Sequence, residues 1–255
     1  MSLDDIKKLR ETTGAGMVDC QKALDEAGGD LTAAVDILRK KGLEKAGKKA
    51  ERATSEGMIA MAREGKKVAV ASLRCETDFV ARNSDFGAAV AEFASQLLTV
   101  SADEFKTWAE EKIKNELIVK IGENLQLGDF GVLEGDVVGV YLHSDKKQAA
   151  VVVLSGGTAA QANDLAMQVV AMSPSYIRPE DVPAEVIAKE KEIYVEQMAG
   201  ENKPAEVLQK IIEGKLQKFY METCLLKQPF IKDDSQTVEQ CLGNATVNEF
   251  QRYSI

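Results

Sequence analysis

Met58-Ile59-Ala60-Met61-Ala62, then Glu64-Gly65-Lys66, then Val68-Ala69-Val70-Ala71-Ser72-Leu73: two apolar runs flank a glycine-centred turn, and the spacing predicts a β-hairpin. The next stretch decides the fold class. Phe86, Ala89, Val90, Phe93, Ala94, Leu97 and Leu98 recur at the spacing of one helix face, the pattern of a helix that buries one side. Ser101 with Glu104 is a capping-box pair for another helix, expected to run to about Ile121. The order recurs downstream. Residues 137–142 and 148–154 read as strands around a turn at Asp145-Lys146. Gly156-Gly157-Thr158 then opens a helix with Leu165, Ala166, Val169 and Met172 inward, and Pro174 comes after its end. Two strand–strand–helix units predict an α+β core of two subdomains with antiparallel sheets.

The flanks read differently. Residues 1–54 are helical in pattern: Leu3, Ile6 and Leu9 mark one helix, which Gly14-Ala15-Gly16 breaks. Met17, Cys20, Leu24 and Ala27 lie on one face of a second. Asp30 can cap a third, through Leu31, Ala34, Val35 and Leu38, which Gly42 is expected to end. Residues 39–52 hold seven basic and two acidic residues and read as an exposed linker helix, with a basic patch for RNA as the sharper alternative. From Pro183, two amphipathic helices meet at a turn over 200–204, an antiparallel coiled-coil hairpin over 179–227. The hairpin could project and pair with a second copy, or pack back on its own core; the pattern leaves both open. A short helix through Val238, Cys241 and Leu242 and a last strand near Val247 close the chain. The expected domains are therefore 1–54, 55–136, 137–178 with 228–255, and the 179–227 insertion.

Composition narrows the function. The 255 residues carry a net charge of −9 and 5% aromatics, which disfavours a general nucleic-acid binder. A single histidine, His143, rules out any site needing two from one chain; it reads as solvent-facing or structural. The four cysteines include no C-x-x-C pair, and Met1-Ser2-Leu3-Asp4-Asp5 is acidic where an export signal is basic. A reduced cytoplasmic chain without metal, cofactor or membrane span is the expectation. Gly42-x4-Gly47-Lys48 mimics a phosphate-binding loop, but Lys49 stands where a magnesium-binding hydroxyl belongs and no strand precedes it. No nucleophile elbow or dinucleotide fingerprint is present, so an enzyme is not expected.

The most unusual stretch is Cys75-Glu76-Thr77-Asp78-Phe79-Val80-Ala81-Arg82-Asn83. An apolar Phe beside an acid in a loop could be a wedge presented to a partner; alternatively Phe79 and Val80 tuck beneath the loop as core. The residues also carry a resemblance. Leu9-Arg10-Glu11-Thr12-Thr13-Gly14-Ala15-Gly16-Met17-Val18-Asp19-Cys20-Gln21-Lys22-Ala23-Leu24, the Thr77-Asp78-Phe79-Val80-Ala81 motif with its flanks, Lys120-Ile121-Gly122-Glu123-Asn124, Leu133-Glu134-Gly135-Asp136-Val137 and Gln228-Pro229-Phe230 occur in the order seen in bacterial elongation factor Ts. The chain resembles that family.

The resemblance implies a three-helix N-terminal domain like a ubiquitin-associated domain, ahead of the two-subdomain core and its hairpin. It implies nucleotide exchange on the translational GTPase elongation factor Tu, with Thr77, Asp78, Phe79 and Val80 intruding beside the partner's magnesium and phosphate site. It further implies partner contacts at Arg10, Met17, Ile121, Gly122 and His143. Gln21 stands where some members have Lys, and longer members continue into a C-terminal helical module beyond the position of Ile255. An RNA-associated or dimeric adaptor without exchange activity is the alternative.

Overall fold

A computed structural model describes residues 2–49, 51–198 and 204–255, with the backbone alone for 43–49. The fold is α+β. It divides into two compact units: residues 1–132 with 142–148 and 253–255, and residues 133–141 with 149–252.

In the first unit, α1 (Leu3–Thr13), α2 (Met17–Glu26) and α3 (Leu31–Lys49) pack around Leu9, Cys20, Ala23, Leu24, Ala34 and Leu38. Ser2 and Asp5 form a capping box on α1, and Asp30 Oδ1 accepts the Thr32 and Ala33 amides at the start of α3. Three expectations are corrected here. Gly42 does not end α3: the helix runs on to Lys49, and a side chain at 42 would put its Cβ 2.2 Å from Val119 Cγ2. The glycine permits close approach, and the expected linker helix is a continuation of α3. The Gly47-Lys48 positions lie within that helix, not in a phosphate loop; their side chains, like residues 200–203 of the turn expected over 200–204, fall outside the described residues. Met17 is exposed instead of joining the inward face of α2.

The antiparallel hairpin β1 (Glu56–Glu64) and β2 (Lys67–Cys75) pairs Glu64 with Lys67 across the Gly65-Lys66 turn. The expected loop after it is a single helical turn, α4 (Asp78–Ala81), because Thr77 caps it: the Thr77 side chain accepts the Val80 amide. Next come α5 (Ser84–Leu97) and α6 (Ala102–Lys112), the latter opened by the Ser101–Glu104 capping box. From α6 the chain continues through a π-helical turn, Ile113–Leu117, into α7 (Ile118–Ile121). A strand not anticipated, β3 (Gln126–Glu134), completes a sheet of order β1-β2-β3. Phe86, Val90, Phe93 and Phe105 fill the space between helices and sheet. Phe105 meets Phe93 edge-on at 6.1 Å and Phe130 of β3 at 4.9 Å, the geometry aromatic quadrupoles favour.

The second unit contains α8 (Ala159–Met172), α9 (Ala184–Gln197), α10 (Ala205–Thr223) and all but the end residues of β4 (Val137–Leu142) and β5 (Gln148–Ser155). The short pair β6 (Pro229–Phe230) and β7 (Asp233–Thr237), α11 (Val238–Leu242) and β8 (Thr246–Ser254) up to Arg252 complete it. The sheet order is β4-β5-β8. Leu165, Ala166 and Val169 of α8 are buried as expected, but Met172 is exposed. The face of α8 instead buries Gln168. Its Nε2 donates to Gln228 Oε1 at 3.2 Å and to the Pro229 carbonyl at 3.0 Å, while its Oε1 accepts the Ile231 amide at 2.8 Å. Gln228, also buried, donates to the carbonyls of Met172 and Glu222. The chain's return from α10 is thus held by satisfied polar groups, which keep their burial from being costly. Between α9 and α10, Lys215 Nζ lies 2.6 Å from Gln197 Oε1 and 5.2 Å from the centre of the Tyr194 ring.

Strand β4 approaches α8 so closely that a Cβ at Gly139 would sit 2.0 Å from the backbone carbon of Ala162. Backbone cannot yield as a side-chain tip can. Gly139→Ala is therefore expected to destabilise the chain by at least about 1–3 kcal/mol, read as a lowered denaturation midpoint at unchanged slope.

Candidate functional site

The site is built where β2 ends and α4 begins. A strand's end leaves amides without ladder partners, and a helix's first turn leaves more. Here a side chain from elsewhere takes them: Glu123 Oε2 accepts the backbone amides of Glu76 and Thr77, both at 3.0 Å, and Glu123 Oε1 accepts the Thr77 hydroxyl at 2.6 Å. The arrangement is reciprocal. Glu76 Oε1 accepts the amide of Asn124 at 2.6 Å, and the Asn124 side chain donates to the Arg52 carbonyl at 2.8 Å. The Arg52 guanidinium lies 3.3 Å from Glu76 Oε2. Bonds from amides to an ionised carboxylate are stronger than neutral ones, so two segments 47 positions apart are clamped end to end.

The clamp sets which α4 residues face out. Val80 and Ala81 pack on the core beneath the sheet, whereas Phe79 is 84% exposed. The two readings of the motif therefore divide between neighbours: Val80 is core and Phe79 is not. Asp78 is half-buried and pairs with exposed Arg82 at 3.3 Å, one helical turn on. Asp78 and Arg82 also line a cavity of about 660 Å³ with Asp145, Lys146 and Lys147. The turn carrying those three residues starts at half-buried His143, whose amide donates to the Gln148 carbonyl at 2.9 Å.

Ile121 is half-buried against the same core, and Gly122 ends α7 in a left-handed conformation (φ 87) with its amide bonded to Ile118. Glu123 is the next residue, so the clamp brings Ile121 and Gly122 together with Thr77–Val80. The α1–α2 turn reaches this neighbourhood as well: Gly14 and Gly16 line a cavity of about 230 Å³ with Lys120 and Gly122. Arg10 and Met17, on the helices flanking that turn, are exposed. Glu76, Glu123 and Asn124 stand inside recognisable motifs, yet the sequence assigns them no work. A carboxylate in each of two motifs is the available signal, but spacing says nothing of contact over such a separation.

A sequence model described as Elongation factor TS matches residues 76–255. Elongation factor Ts of Deinococcus radiodurans is 42% identical over 261 residues, covering 99% of this chain and 99% of that protein. Its counterpart in Hydrogenobaculum is 42% identical over 274 residues, covering 100% of this chain and 98% of the relative. The chain belongs to the elongation factor Ts family. As a family member it is placed among the factors of translation elongation.

Among the described residues no cluster of His, Cys, Asp and Glu could hold a metal ion, and no helix is long and apolar enough to cross a membrane. Cys75, at the foot of this family's motif, is fully buried; burial, with the Glu123 and Glu56 charges nearby, pushes its thiol up to about 11. The thiolate is the reactive form, so Cys75 is inert near neutrality. On native protein with a small alkylating reagent at pH 7.5, half-exposed Cys241 is expected to react first, with Cys20, Cys75 and Cys224 protected until unfolding. Peptide mass mapping against time checks the order.

Proposed function

We propose that this chain is a guanine nucleotide exchange factor for elongation factor Tu and carries no catalytic chemistry of its own. The observation that carries the reading is Phe79, 84% exposed on a capped turn whose other apolar residues pack inward. A lone aromatic standing out on a rigid base is suited to filling a pocket on a partner. Family membership supplies the partner class.

The mechanism is one of linkage. A GTPase holds GDP through loop amides and a magnesium ion. A protein that binds best when those contacts are disturbed must weaken nucleotide binding by its own differential affinity. A weakening of about 10³-fold corresponds to about 4 kcal/mol. In this reading Phe79 enters the partner beside its phosphate site, with Asp78 as the polar group at its flank and Thr77 and Val80 as its base. Ile121, Gly122 and His143 add contacts. Arg10 and Met17 dock the N-terminal helices of the first unit on the partner. The 179–227 hairpin is free to pair with a second copy, and the site of action is the cytoplasm, where translation runs.

The test is release of a fluorescent GDP analogue from elongation factor Tu, followed by stopped flow. Because Phe79 is exposed, Phe79→Ala is expected to change stability by no more than about 0.5 kcal/mol. It is expected to cost at least about tenfold in the acceleration of release. A variant that accelerates release as well as wild type refutes the wedge.

A further inference from the structure

We propose that Glu123 is a positioning residue for nucleotide exchange: it fixes the N-terminus of α4, so that Phe79 and the Ile121-Gly122 corner reach the partner GTPase as one rigid unit. The inference rests on the exchange reading above and adds to it a residue that need not touch the partner.

The length of α4 makes an external hold necessary. It is four residues long, and an isolated turn of helix does not persist in water, because nucleation fixes several dihedrals for one hydrogen bond. Phe79 itself, 84% exposed, contributes little burial to hold the turn. Its aim depends on what holds the ends. Inward packing of Val80 and Ala81 anchors one side. The start is held by Glu123, through two amides at 3.0 Å and the Thr77 hydroxyl at 2.6 Å, the same hydroxyl that caps the Val80 amide. Glu123 is itself rigidly placed. It comes directly after left-handed Gly122 at the end of α7, whose first residue, Ile118, is buried in the core.

Without the carboxylate the turn would still form part of the time, but the partner would then have to order it as Phe79 inserts. That cost falls on the inserting step more than on first encounter, which other contacts can carry. Loss of Glu123 should therefore lower the saturating rate of GDP release more than it raises the concentration giving half that rate.

The experiment measures saturating rate and half-saturating concentration by stopped flow for Glu123→Ala, Glu123→Gln and Thr77→Val. The two Glu123 variants are made in both the wild-type and Phe79→Ala backgrounds, and circular dichroism and Trp108 fluorescence verify the fold. Glu123→Ala is expected to lower the saturating rate about tenfold with less than about threefold change in half-saturation. Glu123→Gln should recover most of the rate, since its amide oxygen accepts a backbone N–H and its NH2 can donate to Thr77 Oγ1. In the Phe79→Ala background, Glu123→Ala should cost nothing further.

A folded Glu123→Ala variant with the wild-type rate overturns the proposal, and so does an equal loss in both backgrounds. If Glu123→Ala does not fold, Thr77→Val decides: it removes only the 2.6 Å hydroxyl bond and the Val80 cap. A wild-type rate from Thr77→Val overturns the proposal, and a reduced rate in folded protein supports it. If Phe79→Ala accelerates GDP release as well as wild type, the wedge falls and the inference with it; if wild type itself does not accelerate release, the exchange reading falls. A slow Phe79→Ala beside a fast Glu123→Ala rejects the inference alone.

Discussion

A carboxylate that accepts the backbone amides of another segment is the interaction on which the candidate site depends. Glu123 does this for Glu76 and Thr77, and Glu76 returns it for Asn124. The amides of Glu76 and Thr77 lie where a strand gives way to a one-turn helix, and Asn124 is buried; a buried amide left without a partner costs about 1–3 kcal/mol. The clamp solves that local problem and has a geometric consequence: the end of β2 and the end of α7 become a single corner. Everything the family motifs contribute at this end of the first unit is positioned from that corner.

The second unit meets the same constraint with neutral groups. Where α10 ends and the chain turns back toward β6, Gln168 and Gln228 satisfy three carbonyls and one amide in full burial. An amide pair can donate and accept at once, so it suits a place where carbonyls outnumber amides. A carboxylate only accepts, so it suits the start of α4, where free amides gather. The two devices differ because the unpaired backbone groups differ.

The legible part of the sequence is periodic. The hairpin, α5, the Ser101–Glu104 cap, α8 and the two long helices of 179–227 all announce themselves through spacing, because burial on one face imposes a period of two or of 3.6 residues. Elements that lack a period give no such signal, or a misleading one. Strand β3 carries glycines at 128 and 131 and an acid at 129, so its alternation is broken. Gly42 reads as a stop because glycine often ends helices; here it lies where α3 passes Val119. Met17 and Met172 fit inward faces by spacing and point to solvent. The Thr77–Val80 motif is recognisable as a family mark. That its threonine caps a helical turn, with Phe79 out and Val80 in, is visible only in the fold.

The sequence by itself determined the fold class, the order of the periodic elements and the family, because these rest on local periodicity, capping pairs and motifs whose order along the chain is its own record. Only the tertiary structure decided what Glu76, Glu123, Gln168 and Gln228 do. The physical reason is that a hydrogen-bonding side chain carries no directional signal in one dimension. Its role depends on which unpaired backbone group the fold brings within about 3 Å, and that group can come from anywhere in the chain.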